Sequence, residues 1–240
     1  MKILVYNNNK DFRFLSLTKC LSSLDIELGL IEGTVSKEDI VRFAPDILIH
    51  DINSKIKSNE DSFAEIQIDD DVYKKIGPFT SYLSEFITDD ESFTSDISYI
   101  GSPDDFGIEL YRYFNEDYNF KLFYEKPLPF FSYCGTISKF DIFNAYNKSR
   151  VSLVPEKDLG FRELDIIAAG GTPIVFKNRE QFHAEIEDSI KNKKTIDNTL
   201  RQSVLKEKTA FDKMANVLKI NGLSAMGAKL KSLKGKYIND

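Results

Sequence analysis

Arg162 and Asp165 stand three apart within Gly160–Val175, GFRELDIIAAGGTPIV. Side chains at that spacing share one face of a helix. Arg162 therefore either meets a phosphate or pairs with Asp165. A second pair is His50-Asp51, at the polar end of an apolar run. In open parallel sheets the ligand crevice lies off the carboxyl ends of strands. There His50 can act as general base for a hydroxyl, with Asp51 as its partner or as the base itself. The alternative is a strand-end His and Asp that cap the next turn. Gly101-Ser102 is the third place of interest. A glycine after a strand lets phosphate approach closely, and Ser102 equally serves as a helix N-cap.

The elements that must position these residues are legible as alternating strands and helices. In the first half, strands are expected at 2–6, 26–31, 46–51 and 63–68, with a helical stripe from Phe12 through Leu24. Ser36 with Asp39 three residues on reads as a helix start. Residues 89–92 read as a linker. In the second half, strands at 97–100, 120–124, 150–154 and 173–176 alternate with helices near 104–115, 139–147, 161–169 and 179–190. Leu164, Ile166, Ile167, Ala168 and Ala169 make a small apolar helix body. Gly170-Gly171-Thr172-Pro173 stops it, and Ile174-Val175-Phe176 is a short buried strand. Such alternation predicts an α/β chain with two Rossmann-like parallel-sheet halves, the first reduced. The domains are expected at 1–92 and 93–195, with a helix and basic tail over 196–240. Thr199–Ile220 reads as helix, with Leu200, Val204, Leu205, Phe211 and Met214 as core positions. After Asn221-Gly222 the chain is basic and reads as loose at its end.

The pattern Arg-x-x-acid, small apolar helix, Gly-Thr-Pro and β-branched strand resembles the donor segment of GT-B glycosyltransferases. The likeness is to the glycosyl transferases group 1 and spore-maturation-protein-like branches, over about residues 96–190. Ile97–Ser102, Leu122–Glu125, Tyr133–Ile137 and Phe143–Leu153 follow the family's order. The resemblance implies that Asp165 binds the ribose hydroxyls, in place of a Glu, and that Arg162 is the family's Arg. It implies donor contacts at Gly101, Ser102, Tyr133, Gly135, Ile137, Gly170 and Gly171. The family's second Glu falls on Lys157. Asp69-Asp70-Asp71 reads as a solvated acidic turn, although a DxD turn holds metal and sugar diphosphate in the other main glycosyltransferase fold. No metal and no permanently bound cofactor is implied. A nucleotide sugar, such as a UDP-sugar, is the substrate.

The 240 residues carry a net charge of −6. Residues 191–240 hold twelve Lys or Arg against four acids, so the remainder is strongly acidic. A basic end suits nucleic acid or an anionic surface, or is a solvated helical face. No apolar run reaches the ~20 residues of a membrane span. The first residues turn polar too soon for a signal peptide. Cys20 and Cys134 lack metal or disulfide spacing, which suggests free thiols in a reducing, cytoplasmic setting.

The expected function is transfer of a sugar from a nucleotide-sugar donor, with His50 and Asp51 on the acceptor side. The compact first half resembles phage- or virus-encoded enzymes of this kind, some of which glycosylate modified DNA. DNA is thus an acceptor the basic end would suit. The alternative is a non-catalytic GT-B-like protein that binds a nucleotide or a partner.

Overall fold

The computed structural model describes residues 1–7, 12–33, 35–52, 54, 63–69, 72, 88–101, 105–124, 126, 134–138, 141–154, 162–175, 179–192 and 197–236. The chain divides into two units, Met1–Ser81 with Lys206–Asp240, and Tyr82–Leu205. The stretch expected as a separate helix and tail is therefore split, and residues from Lys206 onward belong with the first unit.

In the first unit the chain runs β1 (Lys2–Asn7), α1 (Phe12–Lys19), β2 (Glu27–Glu32), α2 (Lys37–Phe43), β3 (Ile47–Asp51) and β4 (Ala64–Ile68). The sheet is parallel, in the order β2-β1-β3-β4. β1 and β3 lie inside, and both are near-continuous apolar runs, as strands covered on both faces must be. Leu4, Tyr6 and Leu48 alternate onto the face that packs with Ile40 and Phe43 of α2. Ser36 and Asp39 form the expected capping box at the start of α2. Ala44, at φ 50°, ends that helix in the left-handed region.

The first unit is completed from the far part of the chain. Past α7 (Asn198–Glu207) come α8 (Ala210–Ile220) and α9 (Ser224–Leu233). The single helix expected over 199–220 is broken because Thr209 and Asp212 start α8 with their own capping box. Leu200 is exposed rather than in the core. Residues 224–233, expected within a basic tail, are helical, and Gly227 explains how they pack. A Cβ there would lie 2.7 Å from the Ala215 carbonyl oxygen, so only glycine allows this close a crossing. Lys234 Nζ then donates to Asp212 Oδ2 at 2.7 Å and to the Lys206 carbonyl at 2.6 Å. Cys20, fully buried after α1, donates to the carbonyls of Leu17 and Ala210. Burial pushes its thiol well above the ordinary range. Both cysteines are free thiols.

The second unit repeats the layout. It runs β5 (Ser95–Ile100), α3 (Asp105–Phe114), β6 (Phe120–Phe123), α4 (Ile142–Lys148), β7 (Ser149–Val154), α5 (Arg162–Ala169), β8 (Pro173–Val175) and α6 (Arg179–Lys191). The order β6-β5-β7-β8 is again all parallel. One face buries Ile97, Tyr99, Val151 and Leu153 against Phe114 of α3 and Phe182 and Ile186 of α6. The opposite face carries Ser98 and Ser152, both buried, whose hydroxyls share a 2.8 Å hydrogen bond. Two α/β units with parallel sheets are what the alternation predicts. Among the described residues, no helix is long and apolar enough to cross a membrane.

Candidate functional site

In each sheet the chain leaves its first strand toward one side and returns to the other. The strand order therefore reverses between β1 and β3, and again between β5 and β7. A crevice forms off the carboxyl ends of the strands at such a reversal. Each unit thus has one place where its topology opens a site.

In the second unit, Gly101 follows β5 directly and donates its N–H to the Phe123 carbonyl of β6. Arg162 opens α5 on the connection that leaves β7. The two straddle the reversal and touch. A Cβ on residue 101 would stand 3.2 Å from both terminal nitrogens of Arg162. Gly101 also has φ +120°, a backbone that other residues rarely adopt. Glycine here thus serves two ends: it makes the turn, and it leaves room for a guanidinium over the strand end. The first turn of α5 holds Glu163 and Asp165, which already complement the helix dipole. Asp165 is 2 % exposed. Its carboxylate is buried at the helix start.

Gly170 and Gly171, expected to contact the donor, lie at the other end of α5. Gly170, at φ +84°, donates to the Ile167 carbonyl, and Gly171 to that of Ile166. This is the Schellman pattern of a helix stop. A Cβ on Gly171 would lie 2.5 Å from the Tyr146 carbonyl oxygen of α4. Asn147 Nδ2 donates to the Ala169 carbonyl at 2.7 Å, and Arg201 Nε to that of Ala168 at 3.1 Å. The helix rises about 1.5 Å per residue, so these glycines stand roughly 12 Å from Arg162. They terminate and pack α5 and take no part in the crevice. Gly171→Ala is expected to cost about 1–3 kcal/mol of stability, as over-packing against fixed backbone does. A urea titration followed by circular dichroism reads this, and an unchanged midpoint would mean that α4 and α5 move apart freely.

Gly135 lies beside β6, where its carbonyl accepts from the Tyr124 N–H and the neighbouring Cys134 N–H donates to Leu122. Its φ is +80°, and the space where a Cβ would stand is open. Ile137 is half-exposed nearby in sequence. Ser102 and Tyr133 lie outside the described residues. Arg112 sits in the last turn of α3, away from the helix end that faces the crevice. Lys148 pairs with Glu91 at 3.3 Å.

In the first unit, His50 does not stand ready as a base. It is 3 % exposed. Its Nδ1 donates to the Asp51 carbonyl at 2.8 Å, and its Nε2 lies 2.6 Å from Glu65 Oε1. Both neighbours are acceptors, so one shared proton must lie between Nε2 and Glu65. In neither arrangement does a ring nitrogen offer a lone pair to a substrate. His50 instead ties β3 to β4.

Asp51 turns to the opposite face of the sheet. It is fully buried, and its Oδ1 accepts from Ser54 Oγ at 2.5 Å. Its Oδ2 is buried and accepts no hydrogen bond among the described residues. Beside it, Asn7 ends β1 and is also fully buried. Asp51 and Asn7 flank the reversal between β3 and β1, and the sequence drew attention only to Asp51. Asn7 was hidden in an Asn-Asn-Asn run with no distinguishing spacing. Glu65 lies fifteen residues from its histidine, beyond any local pattern.

No family model matches this chain, and no curated protein does either. Among solved structures, the chain is similar to D-lactate dehydrogenase from Escherichia coli, at 10 % identity and a TM-score of 0.22, over 79 % of this chain and 80 % of that one. It is also similar to the D-lactate dehydrogenase of Salmonella, at 10 % identity and a TM-score of 0.23, over 98 % and 96 %. Likenesses this remote carry no argument about chemistry. The sheet order and the strand-end residues have to carry it instead.

Proposed function

We propose that this protein is a nucleotide-sugar-dependent glycosyltransferase of the GT-B type, with the donor diphosphate held in the crevice between β5 and β7. The supporting observation is the Arg162 guanidinium against Gly101 at that strand reversal. A guanidinium presents paired N–H donors that match phosphate oxygens, and its charge stabilises a departing nucleoside diphosphate. Asp51, whose buried Oδ2 accepts no hydrogen bond among the described residues, is the candidate to take the proton from an acceptor hydroxyl. The acceptor bears a hydroxyl, and DNA is the candidate that the basic segment suits.

A second reading has its own observation. His50 is fully engaged. That favours a protein that binds a nucleotide diphosphate without transferring sugar. Calorimetry with UDP, GDP and their sugars tests the donor site, and release of nucleotide diphosphate from the sugar conjugate tests transfer. Binding with turnover supports the enzyme, binding alone supports the second reading, and no binding removes both.

A further inference from the structure

From Lys213 to Asn239 the sequence holds six lysines and no acid, in a chain whose net charge is −6. An acid-free basic stretch on an acidic protein is a local positive field, and the fold decides where it points. α9 packs on α8 and on the turn after α1. Gly227 and Leu230 are buried in that packing, and Met226 and Leu233 are half-buried. At 3.6 residues per turn these four share one side of the helix. Lys229 and Lys231 flank the other side, about 160° apart around the axis. Ser224, Ala225, Ala228 and Ser232 fill the arc between them, and both lysines and all four small residues are exposed.

The flanking charges are available. Asp212 neutralises Lys234 at 2.7 Å. Among the described residues, Lys229 and Lys231 form no ion pair. The nearest cations along the chain add to them. Lys236 follows α9, and Lys234 reaches the Lys206 carbonyl, which brings exposed Lys206 to the same end of the hairpin.

Two polyanions present themselves to such a surface, and the side chains of α9 choose between them. A helix that lies in a membrane surface turns large apolar residues toward the lipid. α9 does the reverse, with Leu230 and Leu233 turned inward and only Ser and Ala outward. Duplex DNA asks for what α9 has. Its major groove is about 12 Å wide, admits a single helix and is bordered by a row of phosphates on each side.

We infer that α9 lies along the major groove of duplex DNA, with Lys229 and Lys231 on phosphates of opposite strands. Ser224, Ala225, Ala228 and Ser232 let the helix approach closely. They offer little to base edges, so charge and shape carry the contact rather than sequence. The inference agrees with DNA as the acceptor in the proposed function, yet it concerns binding alone and requires no sugar donor.

Fluorescence anisotropy of a labelled DNA duplex with the full chain is the test, in the absence of any nucleotide sugar. The wild type should bind at about 50 mM salt and weaken steeply as salt rises. The double variant Lys229→Gln, Lys231→Gln gives up two phosphate contacts. Raising salt from about 50 to 200 mM should therefore weaken the wild type about tenfold more than this variant. Ala228→Glu leaves both lysines in place and puts a carboxylate in the groove, so it should abolish binding. Lys37→Gln, Lys126→Gln removes the same charge elsewhere and should bind as the wild type does. Circular dichroism checks that each variant folds. Duplex RNA, whose major groove is too deep and narrow for a helix, should bind more weakly, and phosphatidylserine vesicles should not capture the protein. A wild type that ignores duplex DNA, an unchanged Lys229/Lys231 variant, an equal loss in the control pair, or tighter binding to RNA or vesicles would each overturn the inference. Because no donor is present, any of these results leaves the proposed donor crevice to its own test.

Discussion

Asp51→Asn is expected to lower sugar transfer by about 10²–10⁴-fold, the loss typical of a missing general base. Asparagine nearly matches the shape of aspartate and retains an acceptor for Ser54 Oγ, so folding should survive. The change lies in the first unit, and the proposed donor crevice in the second, so affinity for the nucleotide diphosphate should stay as it was. That separation makes the result informative. A fall in kcat with unchanged binding assigns Asp51 to the chemical step. Unchanged turnover would remove it. An unsatisfied buried oxygen costs about 1–3 kcal/mol, so a variant more stable than the wild type would fit a site kept for function. A urea titration on the same samples shows which holds.

Arg162→Ala is expected to weaken nucleotide diphosphate binding roughly tenfold to a hundredfold. This is the loss of one hydrogen-bonded ionic contact, about 1.5–3 kcal/mol. Arg162→Lys should restore only part of it, because an ammonium keeps the charge and loses the paired donors. Gly101→Ala should resemble Arg162→Ala in binding, since the added methyl takes the space of the guanidinium and the residue sits at φ +120°. Calorimetry on all three decides. If all three bind as the wild type does, the anion is held elsewhere and the proposed donor crevice is wrong.

The parts that were legible were those governed by local rules. The Ser36–Asp39 capping box, the apolar runs of β1 and β3 and the helix stop after Ala169 follow from residue types at short spacing. The site was legible only where the topology agreed with the spacing. Gly101 and Arg162 are far apart in sequence and meet because strand order reverses between β5 and β7. Gly170 and Gly171 were read as ligand contacts by resemblance, although a glycine pair after a helix is equally the mark of a C-cap. His50 looked like a base because its partner, Glu65, sits on a strand whose pairing no local pattern reveals. The helix at 224–233 was missed because Gly227 lowers its helix propensity. That same glycine is what lets it pack on Ala215.

The chain passes from the first unit to the second after Ser81 and returns at Lys206. This sets an order of events during synthesis. The whole second unit leaves the ribosome before Phe211, Met214 and Leu218, which are fully buried in the finished protein. Until they arrive, the apolar side of α1 has no cover, and the first unit waits half-made while the second is already able to fold. A released chain that ends at residue 205 should therefore resist protease in its later portion and be cut in its earlier one.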